Sequence, residues 1–342
     1  MCGLCGFTGE VIDRDEVIKQ MTDKITHRGP DSSGVYLDGG ISMGFRRLSI
    51  IDITDAGNQP IYNEDKTLVL TFNGEIYNYQ NLREELLAAG HRFYTHTDSE
   101  VLVHGFEEWG EGLLNRLRGM FGFAIWNTVD QSLFIARDFF GIKPMHYTMV
   151  GEHFVYGSEI KSILEFPGFE KKFNYNTLNN YLSFQYAVPP ETFFEGVYCL
   201  MPAHYLWYKD GKVTTTRYWE PKFNPDESMQ EEEAVDKIEK VFDQTVTICH
   251  GFIAFGLQPL FKFAPIRRGI NAVRQYANHI DNGEVPFFLF FIPRRADALI
   301  FKKLDFIIRL HRLFPSCLSI SFILPQNSYD DEPTHYQKYS HI

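Results

Sequence analysis

The chain has 342 residues, 44% hydrophobic and 23% charged, the balance of a soluble globular protein large enough for two cores without disulfide staples. A formal charge of -11 argues against a nucleic acid or an anionic membrane as the main partner. The five scattered cysteines, Cys2, Cys5, Cys199, Cys249 and Cys317, and the lack of a basic, apolar leader before Glu10 and Asp13 point to a reduced cytoplasm rather than export.

The first informative residue in chain order is Cys2, in Met1-Cys2-Gly3-Leu4-Cys5. If Met1 is removed, Cys2 carries a nucleophilic sulfur and a free α-amine within one residue. An amine with a pKa near about 8 is a usable base for a thiol near about 8.5. Cys2 and Cys5 also form a C-x-x-C, but no second Cys or His pair stands at metal-ligand spacing, so no metal is expected. Cys5 reads as a small buried hydrophobe.

His27-Arg28-Gly29-Pro30-Asp31 reads as a polar turn. Arg46-Arg47-Leu48-Ser49-Ile50-Ile51-Asp52 sets a guanidinium before an apolar, strand-like run. Such a fork suits a carboxylate, although in isolation an exposed strand-end charge is the commoner reading. Leu68 to Phe72 predicts a short strand ending at Asn73-Gly74, where an amide side chain and a backbone N–H could serve one oxyanion or simply form a turn. A short amphipathic helix is predicted through Glu84, Leu86 and Leu87 to a stop at Gly90. Thr97-Asp98-Ser99-Glu100 heads a helical segment, where acids are normal caps and one can also hold an ammonium. Gly119–Trp126 and Ser132–Arg137 are predicted strands of a sheet buried on both faces. Phe223 to Met229 reads as a linker, and Glu231 to Thr245 as a helix with Ala234, Val235, Ile238, Val241 and Phe242 on one face.

A thiol, an arginine for a carboxylate, an aspartate for an ammonium and an oxyanion hole are what hydrolysis of an amino-acid amide such as glutamine requires. In this order the clusters resemble the glutaminase domain of glutamine-hydrolysing asparagine synthetases, class II amidotransferases. Gln59-Pro60, Phe72-Asn73-Gly74-Glu75-Ile76-Tyr77-Asn78, Ala136-Arg137-Asp138, Gly141-Ile142-Lys143-Pro144, Gly157-Ser158-Glu159-Ile160-Lys161 and Arg217-Tyr218-Trp219 fit as well. The resemblance covers about residues 1–245. It implies an α+β fold, the four-layer αββα sandwich of N-terminal nucleophile hydrolases, over 1–205. Residues 206–245 would be a linker and the first helix of a synthetase domain.

The resemblance implies Cys2 as nucleophile with its own α-amine as base, and Asn73 and Gly74 as oxyanion hole. Glutamine would lie against Arg47, Leu48, Ser49, Ile50, Ile51, Asn73, Gly74, Glu75 and Asp98, with Arg47 on its carboxylate and Asp98 and the Glu75 segment at its ammonium. No cofactor is implied for this half. The parent family also uses aspartate, ATP and Mg, and the resemblance admits a homodimer.

Beyond residue 245 the resemblance ends. Lys+Arg and Asp+Glu number 22 and 37 up to Thr245 (net -15), but 11 and 7 after it (net +4). A Ser-Gly-Gly-Val-Asp-Ser-Ser pyrophosphate loop is expected here in the family, and none follows. Without its backbone N–H groups ATP has no cradle. We therefore expect 246–342 to be a truncated or out-of-frame segment without ligase activity. Rival readings are a non-catalytic remnant serving as an interaction module, and another class II amidotransferase, which the Arg217-Tyr218-Trp219 passage fits poorly.

Overall fold

The structure, a computed structural model, describes residues 1–49, 54–226, 228–230 and 233–245. The run 246–342, with its expected break in reading frame, lies outside the described residues, as do Ile50 and Ile51.

The elements follow in order as β1 (Gly3–Thr8), α1 (Arg14–Asp23), β2 (Ser32–Leu37), β3 (Ile41–Arg47), β4 (Ile61–Tyr62) and β5 (Leu68–Ile76). After them come α2 (Tyr79–Ala89), α3 (Glu100–Trp109), β6 (Gly119–Asn127), β7 (Ser132–Arg137), β8 (His146–Val150) and β9 (His153–Gly157). Next are α4 (Ile160–Ile163), α5 (Tyr175–Phe184), β10 (Tyr198–Cys199), β11 (His204–Lys209) and β12 (Lys212–Arg217). A further helical stretch occupies 233–245, and there Val235, Ile238, Val241 and Phe242 are exposed.

The strands form two six-stranded sheets, ordered β10-β8-β9-β1-β3-β2 and β12-β11-β7-β6-β5-β4, antiparallel throughout their pairings. Among the described residues, three apolar cores separate four layers. Cys5 and Phe7 of β1 meet Val17, Ile18 and Met21 of α1 on one outer face. Leu4, Met43 and Phe45 of the first sheet meet Val69, Trp126 and Ile135 of the second in the middle. Leu70, Phe121, Phe123 and Phe134 pack against Leu82, Val101 and Phe106 of α2 and α3 on the other outer face. The αββα sandwich expected of the sequence is therefore the observed architecture. Its cause is the period-2 alternation of strands whose two faces are both covered.

Two expectations need adjusting. Asn73-Gly74 is not a turn: β5 runs straight through it, Asn73 opposite Gly122 and Gly74 opposite Phe121. Pairing with β6 across a buried sheet overrides the local turn preference of Asn-Gly. Glycine serves a different purpose at 74, because a Cβ there would meet the Met120 carbonyl oxygen and stand 2.8 Å from Phe121 Cα. In addition, residue 205 falls inside β11, whose hairpin with β12 continues the second sheet to Arg217.

Close approach also governs Gly6, on the inner face of β1. A Cβ there would stand 2.5 Å from the Tyr156 hydroxyl and 2.6 Å from the Ser42 carbonyl oxygen. Gly6→Ala is expected to destabilise the fold by about 1–3 kcal/mol through overpacking, read as a lower urea midpoint at unchanged slope. An unchanged midpoint would contradict the packing described.

Candidate functional site

Strand alternation aims the sequence-singled residues into one place. On β3, Arg47 shares a face with Ile41, Met43 and Phe45, which line the core between the sheets. On β5, Asn73 and Glu75 share the face of Val69, which lines the same core from the opposite sheet. Cys2, one step before β1 and in phase with Leu4, packs against that core too. Residues distant in sequence thus converge because two sheets present their inner faces to each other.

The Cys2 thiol is held by the backbone of Leu48. The Leu48 N–H donates to Sγ at 3.4 Å, and Sγ lies 3.6 Å from the Leu48 carbonyl oxygen. Arg28 Nε donates to the Cys2 carbonyl at 2.8 Å while its Nη1 bonds Glu159 Oε1 at 2.8 Å. Burial tends to raise the Glu159 pKa, but Arg28, Lys161 and His27 outweigh it and bring the group down to about 2. Ser158 completes the anchor: its Oγ accepts from the Leu4 N–H at 3.1 Å, and its own N–H donates to the Leu4 carbonyl at 2.8 Å. The start of the chain is thereby clamped at Cys2 and at Leu4.

Burial pushes the Cys2 thiol up, with the Leu48 backbone, the chain's α-amine and Arg47 opposing and Asp98 reinforcing. The α-amine here belongs to Met1. Burial lowers its pKa, and Cys2, Arg28, Lys143 and Glu75 all act on it. The terminus and Glu75 therefore lie within electrostatic reach of each other. Cys5 takes no part: fully buried against α1, 3.6 Å from the Thr22 hydroxyl, it has a thiol pushed up to about 12.

Asn73 is 1% exposed, and its Nδ2 has no hydrogen-bond partner. Leaving a buried amide donor unsatisfied costs about 1–3 kcal/mol, and this one is available to an oxygen that enters the site. The strand carrying it is tightly fixed. Gln59 reaches across to β5, donating from Nε2 to the Phe72 carbonyl at 3.1 Å and accepting the Phe72 N–H at 2.6 Å.

Arg47 is 6% exposed, and its Nη1 donates to the Thr54 carbonyl at 2.8 Å and to Asn58 Oδ1 at 2.9 Å. Asp98, at the head of α3, accepts the Ile76 N–H at 2.9 Å. Burial raises its carboxyl to about 7; the Ile76 bond opposes the rise and nearby Glu75 adds to it. Glu75 is itself raised by burial, with Lys143 opposing. Ser49 donates its N–H to Asp31 Oδ2 at 2.7 Å, which ties the segment after β3 to the 27–31 turn.

The structure thus brings Cys2, Arg47, Leu48, Asn73, Gly74, Glu75 and Asp98 to one end of the central core, whereas Ile50 and Ile51 lie outside the described residues. Sequence reasoning missed the supporting set. Asp138 accepts N–H bonds from Phe121, Phe140, Ile142 and Lys143 at 2.9–3.2 Å. Arg137 bonds the carbonyls of Lys143, Gly141 and Leu200 at 2.5–2.7 Å. Together they fix the loop that brings Lys143 beside Glu75. The Arg137-Asp138 and Gly141-Pro144 motifs were visible in the sequence, but their mutual bonding is tertiary.

The glutamine amidotransferase domain family matches residues 1–219. Asparagine synthetase [glutamine-hydrolyzing] 1 of Bacillus subtilis is 39% identical over 249 residues, covering 70% of this chain and 39% of that protein. A putative asparagine synthetase of Mycobacterium tuberculosis (strain H37Rv) is 36% identical over 271 residues, 72% of this chain and 41% of the other. Amidase chyE of Penicillium rubens is 32% identical over 246 residues, 70% and 35% of the two chains. Among solved structures, the glutamine phosphoribosylpyrophosphate amidotransferase of B. subtilis superposes with a TM-score of 0.49 at 19% identity, covering 64% of this chain and 50% of that one. The chain spans about two fifths of the length of the curated asparagine synthetases it matches. On the 1–219 match the chain belongs to the glutamine amidotransferase family, with the glutamine-hydrolysing asparagine synthetases among its homologues.

Proposed function

We propose that this chain hydrolyses L-glutamine to L-glutamate and ammonia through a thioester on Cys2. The observation that carries the reading is the buried, unpartnered Asn73 Nδ2 on the inner face of β5, opposite the sheet whose first strand Cys2 precedes. Removal of Met1 turns the Cys2 nitrogen from an amide, which is no base, into an amine, which takes the thiol proton. The sulfur then attacks the glutamine side-chain carbonyl. Asn73 Nδ2, with the Gly74 N–H, receives the developing oxyanion. The amine returns its proton to the leaving ammonia, and water cleaves the thioester to release glutamate. Arg47 holds the substrate α-carboxylate, and Asp98 with Glu75 holds the α-ammonium.

The test is glutamate release from L-glutamine by the purified protein, with turnover lost on alkylation of Cys2. No glutamate above a heat-denatured blank overturns the reading. ATP-dependent amidation of aspartate is proposed to be absent from this chain, since the sequence after residue 245 carries no recognisable pyrophosphate loop. Aspartate, ATP and Mg with glutamine are expected to yield no asparagine. Family resemblance alone raises ATP and Mg, and no step above uses them.

A pH dependence follows from Asp98. Its carboxyl, raised to about 7, must ionise to hold an ammonium, so KM for glutamine is expected to rise about tenfold per pH unit below 7. Stability runs the other way. Between its unfolded value near about 4 and about 7 the folded state binds the extra proton, so this contribution falls as pH rises through that window. Asp98→Asn is therefore expected to stabilise the protein at pH 8, by up to about 4 kcal/mol, while weakening glutamine and flattening the KM profile. A KM profile unchanged by Asp98→Asn would remove Asp98 from the ammonium site.

A further inference from the structure

On the outer α2/α3 side of the second sheet, away from the inter-sheet core that holds Cys2, four side chains meet. Glu64 lies between β4 and β5, His91 follows the Gly90 stop of α2, and His104 and Glu107 stand one turn apart on α3. One ligand atom from each lies within 4.8 Å of all the others. From this convergence we propose that Glu64, His91, His104 and Glu107 form a binding site for a divalent transition-metal ion of the zinc class.

The donors crowd together, and one pair of them, His91 Nδ1 and Glu64 Oε1, is hydrogen-bonded at 3.3 Å. His104 is fully buried, and its Nδ1 has no hydrogen-bond partner although Glu64 Oε2 is 3.2 Å away. Proximity without the alignment of a hydrogen bond is what two ligands of one ion show. His91 Nδ1 stands 3.3 Å from Glu64 Oε1 and 4.0 Å from Glu107 Oε2. Ligand atoms each about 2.1 Å from a tetrahedral ion are about 3.4 Å apart; the two closest pairs already stand at that separation, and the widest, up to 4.8 Å, would close as the ion enters.

Each ligand has a supporting partner behind it. His104 Nε2 lies 3.3 Å from Glu100 Oε1, and His91 Nε2 lies 3.5 Å from Glu108 Oε2, the carboxylate–imidazole pairing that orients a metal-binding ring. Asn63 Nδ2 donates to Glu107 Oε2 at 3.0 Å, and the Arg92 N–H donates to Glu64 Oε1 at 2.7 Å. Two neutral imidazoles and two carboxylates neutralise a dication and favour zinc or a neighbouring transition metal over magnesium or calcium, which prefer oxygen-only shells. An ion here would tie the β4–β5 turn, the end of α2 and α3 together, and its first effect is structural.

The test strips the full-length protein with chelator, dialyses it against Zn²⁺ and measures metal by mass spectrometry after gel filtration. Retention of one ion per chain is expected, with a rise in melting temperature and, for Co²⁺, the visible absorption of a four-coordinate nitrogen–oxygen site. Glu64→Gln and His91→Ala are expected to weaken binding by at least about tenfold, while Cys2→Ala keeps the ion, which excludes Cys2 as its ligand. Glu64 is exposed, and a Glu64→Gln melt without metal that matches the stripped wild type shows that its loss is not misfolding. No retained zinc, or equal retention by wild type and both cluster variants, overturns the proposal.

Discussion

Cys2→Ala is expected to abolish glutamate release from glutamine, a loss of about 10⁴-fold or more in kcat, while glutamine still binds within a few-fold of the wild-type Kd. The two outcomes separate because the thiol is the reacting atom and the proposed anchoring is done by Arg47 and Asp98. Calorimetry of the variant with glutamine measures the second directly. A variant that retains turnover would exclude the thioester. The same chemistry makes Met1 decisive. Burial holds the thiol mostly protonated, so a base must be close at hand, and the Cys2 nitrogen can be that base only as an amine. Protein whose intact mass includes Met1 is expected to be inactive, and aminopeptidase treatment is expected to restore turnover in step with the loss of that residue.

Asn73→Ala is expected to lower kcat for glutamine by about 10²–10³-fold, equivalent to about 3–4 kcal/mol of transition-state stabilisation, with KM within a few-fold. Its effect on stability distinguishes the oxyanion role from a structural one. A buried amide engaged in the fold would leave a partner unsatisfied when removed and destabilise by about 1–3 kcal/mol. Asn73 Nδ2 has no such partner, so its loss is expected to be close to neutral, the relief of an unsatisfied donor offsetting the small cavity. A large drop in the urea midpoint together with unchanged kcat would reverse the assignment. Asn73→Asp is expected to be no better than Ala, because a carboxylate repels the oxyanion and pushes against Glu75 and Asp98, both already raised by burial.

Much of this was legible locally. Gly119–Trp126 and Ser132–Arg137 read as strands and are strands, to within a residue. Gly90 read as a helix stop and adopts the left-handed conformation at φ 108° that glycine tolerates best. Asn73-Gly74 misled because the sequence shows the turn preference of the pair and not the β6 partner that overrides it. Glu64, His91, His104 and Glu107 gave no signal, since loop, helix end and helix contribute donors at spacings that match no short metal motif.

The chemical types and their order are written in the residues alone: a thiol at position two, a guanidinium, an amide, two carboxylates, and alternating strands to carry them. These depend on side-chain identity and on a backbone period of two, which are local properties. Tertiary structure decided which of them meet. Packing the inner faces of two sheets set Cys2 and Arg47 opposite Asn73 and Glu75, left Asn73 Nδ2 without a partner, and removed enough water around Asp98 to raise its carboxyl to about 7. Burial and the low dielectric it creates come from layers distant in sequence, so no local pattern encodes them.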